Sequence, residues 1–482
     1  MNNANNPPED DYQELVQLIT RYESMKSNKQ FYLDAEQILE IAEWYELHDK
    51  PDEAYEVLTY GLSWHPDHTG ILVTLAYSYI DKGKPEEAKR IAILIEDEYS
   101  VEAKMLRAEL LLAENQVLEA EAILDTLEDE ADANLCLNVA SLYIQADHFS
   151  HGLLWLQKAA LFAPEDEDLI WTIAECCHNI GKNEEAIHYF NILIDQQPYS
   201  ADSWAGLAKV YFTQELYDKA VEACDFALVA DAGFYDAHLF KAHSLYQLGN
   251  YEESIKEYRY VLAQGDYFSE YVYAYIGACY CEMQEWEQAC AYYKKALQGA
   301  SELDESKKIE VYINLATCLY RIGRFDKAHE LCDTMETLFP DFFDSYLLNG
   351  RIYSEEENKE KAGECWDKVL NKSTNDVSVL TQIGEYCLDM GDLARAKTAL
   401  ERAISMNPNG MIIKMYLILT YVRLKDWKSL LKIHQQLNIP TGDKLETFIR
   451  EYFGEDESLS SEVLETIGKF EQKVKKKNKP SI

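Results

Sequence analysis

Apolar and polar positions along this chain recur with a period of 34 residues, and each period contains two helical stretches. In the unit 201–234, Trp204, Leu207, Ala208 and Tyr211 fall on one helical face, and Ala220, Cys224 and Ala227 do so again after a short turn. The units 133–166, 167–200, 201–234 and 235–269 succeed one another almost without a gap, and the pattern extends in both directions. A repeat of this size predicts stacked helix–turn–helix units that share one continuous core.

Aligning the units shows what the helices need. The eighth place holds Ala42, Ala76, Ala108, Ala140, Ala174, Ala208, Ala242, Gly277, Ala316, Gly350 and Gly384. The twentieth holds Ala54, Ala88, Ala120, Gly152, Ala186, Ala220, Ser254, Ala289, Ala328, Ala362 and Ala396. Antiparallel helices approach closely only where side chains are small, so these are the expected contacts inside each hairpin. Gly83, Gly181, Gly249, Gly323 and Gly391 sit where a left-handed residue would end the first helix. An aromatic residue (Phe149, Tyr217, Tyr251, Trp286, Phe325) or a proline (Pro51, Pro85) follows two residues later. Pro66, Pro164, Pro198, Pro340 and Pro408 then close their units, where they are expected to stop the second helix.

This order of small, aromatic, Gly-turn, Ala, aromatic and Pro positions resembles the tetratricopeptide repeat (TPR). The resemblance covers eleven units from 35 to 410, of which 69–100 and 101–132 are two residues short and 270–308 carries an insertion around Glu302–Ser306. A twelfth unit, 411–440, is degenerate: Ile418 and Leu430 replace both small residues, and Pro440 ends it early. The resemblance implies an all-α, right-handed superhelical solenoid of about 12 repeats with capping helices. The expected organisation is an acidic tail and capping helix over 1–34, the array over 35–440, further capping helices over 441–472, and a Lys-rich disordered tail over 473–482. In the first stretch, Leu15, Leu18, Ile19 and Tyr22 give 12–26 a helical periodicity suited to covering the first repeat.

In this family the first helix of each unit lines a concave groove, through its second, fifth, ninth, twelfth and thirteenth places. Carried over, that makes the early groove acidic, with Glu36, Glu43, Glu46, Glu102 and Glu109. The middle becomes aromatic and cationic: Trp171, Glu175, His178, Lys209, Phe212, His243 and Tyr246, followed by Tyr271, Tyr320, Arg321 and Arg351. Such side chains are common anchors of peptide recognition, and Trp171 with Lys209 is the leading expectation. The Lys–Asn clamp with which chaperone-binding repeat domains hold a C-terminal carboxylate is missing: Asn138 and Asn314 stand at the sixth place in units without the Lys.

Charge narrows the partners. With 45 Lys and Arg against 86 Asp and Glu, the formal net charge is −41, which argues against nucleic acid as the main ligand. Met1 to Asp11 has neither a basic nor an apolar leader region, and no apolar run is long enough to span a membrane. Cytoplasmic residence is the expectation. The 11 cysteines then read as thiols: Cys176, Cys279 and Cys318 share one core place, and Cys224 and Cys332 another, as small buried hydrophobes do.

Metal and catalytic chemistry has little to stand on. Glu175–His178 and Glu185–His188 have Glu-x-x-His spacing, but a di-iron site needs four convergent helices. His65–His68 and His148–His151 offer two ligands each, fewer than a zinc site takes. No phosphate-binding loop, nucleophile elbow or His-Glu-x-x-His is present, so neither catalysis nor a cofactor or metal is expected. Lys473, Lys475, Lys476, Lys477 and Lys479 read as a solvated end, with a fold-back onto the acidic groove or contact with an anionic surface as the functional alternatives. The expected function is a non-catalytic scaffold binding a protein or peptide segment in the groove. A regulatory or assembly subunit using its convex face or ends is the alternative, and homo-oligomerisation stays open.

Overall fold

Each period folds into a helical hairpin in a computed structural model of the chain, which describes residues 9–25, 32–265, 269–371, 376–426 and 428–430. The expected caps over 441–472, the Lys-rich tail and the last third of the degenerate repeat lie outside the described residues. Among the described residues there are helices and no strand. They divide between Phe240 and Lys241 into two compact units.

The first unit begins with α1 (Glu9–Met25). Its hairpins are α2 (Ala35–Leu47) with α3 (Pro51–Leu62), α4 (Thr69–Asp81) with α5 (Pro85–Ile93), and α6 (Val101–Ala113) with α7 (Val117–Leu124). They continue with α8 (Ala133–Gln145) and α9 (Phe149–Ala159), α10 (Glu167–Asn179) and α11 (Asn183–Gln196), and α12 (Ala201–Thr213) and α13 (Tyr217–Ala230). The division falls inside α14 (Tyr235–Gln247). The second unit continues with α15 (Tyr251–Ala263), α16 (Ser269–Glu282) and α17 (Trp286–Gln298), then α18 (Glu305–Arg321) and α19 (Phe325–Leu338). It ends with α20 (Asp344–Glu355) and α21 (Lys359–Asn371), α22 (Val377–Met390) and α23 (Leu393–Met406), and α24 (Met411–Leu424). The insertion around Glu302–Ser306 supplies the extra first turn of α18, capped by Asp304, which accepts the Lys307 N–H at 2.8 Å.

Most first helices start on a side-chain cap. Asp34, Ser100, Asp132, Asp166, Ser200 and Asp376 each accept a backbone N–H from the first turn. Seven second helices (α3, α5, α9, α13, α15, α17 and α19) start straight from the turn with the aromatic or proline as first helical residue, while α7, α11, α21 and α23 open on Val117, Asn183, Lys359 and Leu393. That turn is more uniform than the glycines suggest. Gly83, Gly181, Gly249, Gly323 and Gly391 have φ between 67° and 79°, yet Asp49, Asn115, Asp147, Glu215, Gln284 and Glu357 adopt φ of 56° to 61° at the same place. The next N–H closes back onto the helix, as in Lys182 to the Cys177 carbonyl (2.8 Å) and Leu216 to Tyr211 (3.0 Å). Because this bond holds the turn, a residue with a Cβ is tolerated there.

The terminal prolines need a correction. Helices α11, α19 and α23 end two residues before Pro198, Pro340 and Pro408. Helices α3 and α9 stop earlier, at Leu62 and Ala159, so Pro66 and Pro164 do not end them. In α3 the Ser63 hydroxyl donates to the Tyr60 carbonyl at 2.6 Å, satisfying a terminal acceptor within the last turn.

The small residues at the eighth and twentieth places are buried in every described hairpin. A Cβ on Gly277 would stand 2.8 Å from the Tyr293 ring, and one on Gly152 would stand 2.9 Å from Ile144. Larger residues of neighbouring helices fill the space around these contacts, so each unit has core clusters running from repeat to repeat. At the start, α1 buries Ile19 and Tyr22 against the first hairpin, and the Tyr45 hydroxyl donates to Glu23. At the other end Ile418 and Leu430 of the degenerate repeat are buried in the last cluster. No helix among the described residues is long and apolar enough to cross a membrane.

Two glycines separate clash from backbone strain. Gly277→Ala meets a fixed aromatic ring and should cost about 1–3 kcal/mol. Gly181, with φ of 78° and nothing within 4 Å, should lose roughly 1 kcal/mol as Ala and less as Asn, which tolerates that conformation. Hydrogen exchange of the affected hairpins measures both. Equal losses for Gly181→Ala and Gly181→Asn would contradict the assignment of strain.

Candidate functional site

In the first unit, the expected site residues on α10 and α12 are close together and largely satisfied by one another. Trp171 is half-buried, its ring edge-on to Phe190 of α11 with centroids 5.3 Å apart. One turn further on, the Glu175 carboxylate accepts Lys209 Nζ at 2.8 Å, from the equivalent place of the next repeat. Lys209 and Glu175 side chains are 35% and 26% exposed, so the pair contributes at most about 1 kcal/mol. It does neutralise the cation. Burial, and then the Lys209 charge, pushes the His178 imidazole below its usual pKa. Phe212 packs edge-on to Tyr217 at 5.5 Å and tilted against Phe240 at 6.4 Å.

Nearer the start of the same unit the acidic residues repel one another. Burial, with Asp81 and Glu43, raises the Glu46 carboxyl above its ordinary pKa. Burial also raises Glu109; the Tyr77 hydroxyl opposes this and Asp81 adds to it. No group of three His, Cys, Asp or Glu among the described residues is arranged to hold a metal ion. His68 is instead an N-cap, 3.4 Å from the Ile71 N–H, and His151 stacks on Tyr143 at 5.1 Å.

The second unit holds two different arrangements. His243 of α14 is enclosed: its Nδ1 lies 2.6 Å from the Tyr258 hydroxyl, and Tyr275 meets the ring edge-on at 4.6 Å. Burial, and then Lys307, lowers its pKa to about 4, so the neutral ring accepts from Tyr258. Tyr246 packs edge-on to Tyr251 at 5.5 Å. The Tyr271 hydroxyl donates to Asp304 at 2.8 Å, tying α16 to the start of α18.

Tyr320, Arg321 and Arg351 form a more open array with two aromatics, Trp286 and Tyr386, that the repeat alignment did not place in the groove. Arg321 lies over Trp286 (5.8 Å to the centroid) and Tyr320 (5.7 Å), while Arg351 lies over Tyr320 (5.6 Å) and Tyr386 (5.9 Å). The Tyr320 hydroxyl donates to Glu355 at 2.9 Å, which fixes the ring between the two guanidiniums. Among the described residues neither arginine has a carboxylate within ion-pair distance. A guanidinium held over aromatic rings rather than by a carboxylate keeps its N–H donors for a ligand, and their fork matches a carboxylate with two parallel hydrogen bonds. Trp286 follows a turn and Tyr386 precedes Cys387 on α22, so neither occupies an expected groove place. The usable signal is spacing: each arginine lies over an aromatic about one repeat away, as Lys209 pairs with Glu175.

Comparison with known proteins agrees with this architecture. Tetratricopeptide repeat models match residues 47–110, 179–234, 270–331, and 235–262 with 377–409. The chain belongs to the tetratricopeptide repeat family. Among curated proteins, human protein O-mannosyl-transferase TMTC1 is 26% identical over 138 residues, which are 28% of this chain and 15% of that protein. The solved structures it resembles include a tetratricopeptide repeat protein from Parabacteroides merdae, 17% identical over 53% of this chain and 98% of the other, with a TM-score of 0.40. YrrB, described as a TPR protein with an unusual peptide-binding site, is 19% identical over 40% of this chain and 95% of its own, with a TM-score of 0.34.

The enclosed His243 sets a pH dependence. Its folded pKa of about 4 lies below the ordinary histidine value near 6.5, so the unfolded chain takes up the proton first. Its contribution is complete above about pH 6.5 and is lost as pH falls toward 4. Melting temperatures between pH 7.5 and 4.5 should therefore fall more steeply for the wild type than for His243→Asn. Parallel curves would contradict a buried neutral imidazole.

Proposed function

We propose that this chain is a non-catalytic scaffold, and that the face carrying Trp286, Tyr320, Arg321, Arg351 and Tyr386 holds a segment of a partner protein. The carrying observation is the pair of arginines that lie over aromatic rings and, among the described residues, have no carboxylate partner, in a chain whose formal net charge is −41. Each free guanidinium edge suits a carboxylate, and the rings between them supply apolar area. The segment that fits carries carboxylates flanked by apolar side chains. At about 0.15 M salt the Debye length is about 8 Å, so these local contacts outweigh distant repulsion from the rest of the chain. Trp171, Lys209 and Phe212 form a second, weaker candidate face, because Lys209 must leave Glu175 to take a ligand carboxylate. The match to the mannosyl-transferase spans 15% of that protein and assigns no reaction to this chain.

One observation favours the second reading, an assembly subunit that uses another face. On and just beyond the second helices of the first unit, Ile93 and Leu161 are 81% and 82% exposed, beside Leu118 and Leu154. An open cleft of about 410 Å³ lies next to Ile93, lined by Ala92, Leu110 and Leu111. Exposed apolar side chains in such number suit a protein surface.

Fluorescence anisotropy with labelled peptides, in which apolar residues alternate with Glu, Gln or Lys, tests the first reading. The Glu peptide should bind at least about tenfold more tightly than the Gln peptide, a difference near 1.4 kcal/mol. The variant Arg321→Ala/Arg351→Ala should abolish that preference, while Trp171→Ala keeps it. Preference for the Lys peptide, or an unchanged preference in the double variant, would place binding elsewhere.

A further inference from the structure

Ten of the eleven cysteines are buried, as small core residues are, but one is half-exposed and touches another. Cys281, on the last turn of α16, has its Sγ 3.2 Å from the Sγ of Cys318 on α18, closer than two sulfurs rest in van der Waals contact. Cys318 is fully buried, and the buried Cys290 of α17 belongs to the same core cluster. The Tyr293 hydroxyl lies 3.6 Å from Cys281. The three thiols thus come from three successive helices, and Cys281 is the one that is only partly buried.

We propose that Cys281 and Cys318 are an oxidisable dithiol that a hydroperoxide converts to a disulfide joining α16 to α18. Closing the bond requires the sulfurs to move from 3.2 Å to about 2.05 Å, a shift within the reach of side-chain rotation. The Cys281 thiolate attacks the outer peroxide oxygen, the O–O bond breaks, and the alcohol (or water, from hydrogen peroxide) leaves with a proton. The sulfenic acid so formed on Cys281 is then attacked by the Cys318 sulfur, which forms the S–S bond and releases water. Two thiols and one hydroperoxide give one disulfide, one alcohol and one water; the sulfurs lose two electrons and the peroxide oxygens take them up.

The surroundings favour Cys281 as the first to react. The Cys318 thiol donates to it and pulls its pKa below the ordinary thiol value, with the Tyr293 hydroxyl adding to this against burial. Cys318 lowers the Cys290 thiol in the same way, but Cys290 is buried, whereas Cys176, Cys177 and Cys279 are each pushed up to about 11 by burial. A thiolate is the reactive form, so half-exposure and a lowered pKa act together at Cys281. The bond would link the first helices of neighbouring hairpins across 37 residues of chain. It would hold that part of the second unit together, whether or not a peptide lies on the arginine face.

The test uses the reduced, full-length protein treated with an equimolar amount of hydrogen peroxide, then alkylated, digested without reduction and analysed by mass spectrometry. The expected result is a linked Cys281–Cys318 peptide pair, lighter by two hydrogen atoms and separated again by dithiothreitol. Cys281→Ser, at the half-exposed position, should lose the link, while Cys290→Ser should keep it. Hydrogen exchange over residues 269–321 should slow on oxidation in the wild type and not in Cys281→Ser. Recovery of Cys281 and Cys318 both alkylated after peroxide, or a Cys290–Cys318 link as the main product, would overturn the proposal.

Discussion

Close approach of two helices inside every hairpin is the constraint from which the rest of this structure follows. It requires a small residue at the eighth place of the first helix and another at the start of the second. Where glycine serves, the partner helix sends a large side chain into the gap, as Tyr293 does over Gly277 and Trp366 over Gly350. Repetition of that contact gives each hairpin the same geometry, and the left-handed turn residue gives it the same connection. Equivalent places in successive repeats then lie side by side. Glu175 meets Lys209 by this rule, both at the ninth place, and Tyr320 meets Glu355 one place further along the next repeat.

The same rule determines how scarce cations are used. In a strongly acidic chain most lysines and arginines are expected to find a carboxylate, and many do: Lys209 with Glu175, Lys368 with Glu336, and Arg395 with Asp367 and Asp392. Arg321 and Arg351 find aromatic rings instead. A guanidinium held over rings is positioned without being neutralised, which distinguishes this face from the satisfied cluster around Lys209. The contrast is one of pairing, and both clusters carry much the same residue types.

The fold was legible because a 34-residue period writes each requirement many times. The small residues at both contact places, and the aromatic or proline that opens the second helix, are direct consequences of hairpin packing. The turn was only partly legible: five glycines announce it, while Glu215 and Gln284 conceal the same conformation because a backbone hydrogen bond enforces it. The stopping power of Pro66 and Pro164 was overestimated, since α3 and α9 end before reaching them. At the candidate site, Tyr320, Arg321 and Arg351 follow from their places in the unit. Trp286 and Tyr386 do not, because their role arises from stacking onto the adjacent repeat. Position within a repeat likewise identified Cys318 as a core residue and was silent on its contact with Cys281, which joins two different places of two units.

Hydrogen–deuterium exchange of the full-length protein, with and without a saturating peptide of alternating apolar residues and glutamate, tests the central claim most directly. The account predicts slowed exchange in α18, α20 and α22, which carry Arg321, Arg351 and Tyr386, with α10 and α12 unchanged. Protection of α10 and α12 alone, or of the second helices α5, α7 and α9, would contradict it and move the binding surface to another face of the repeats.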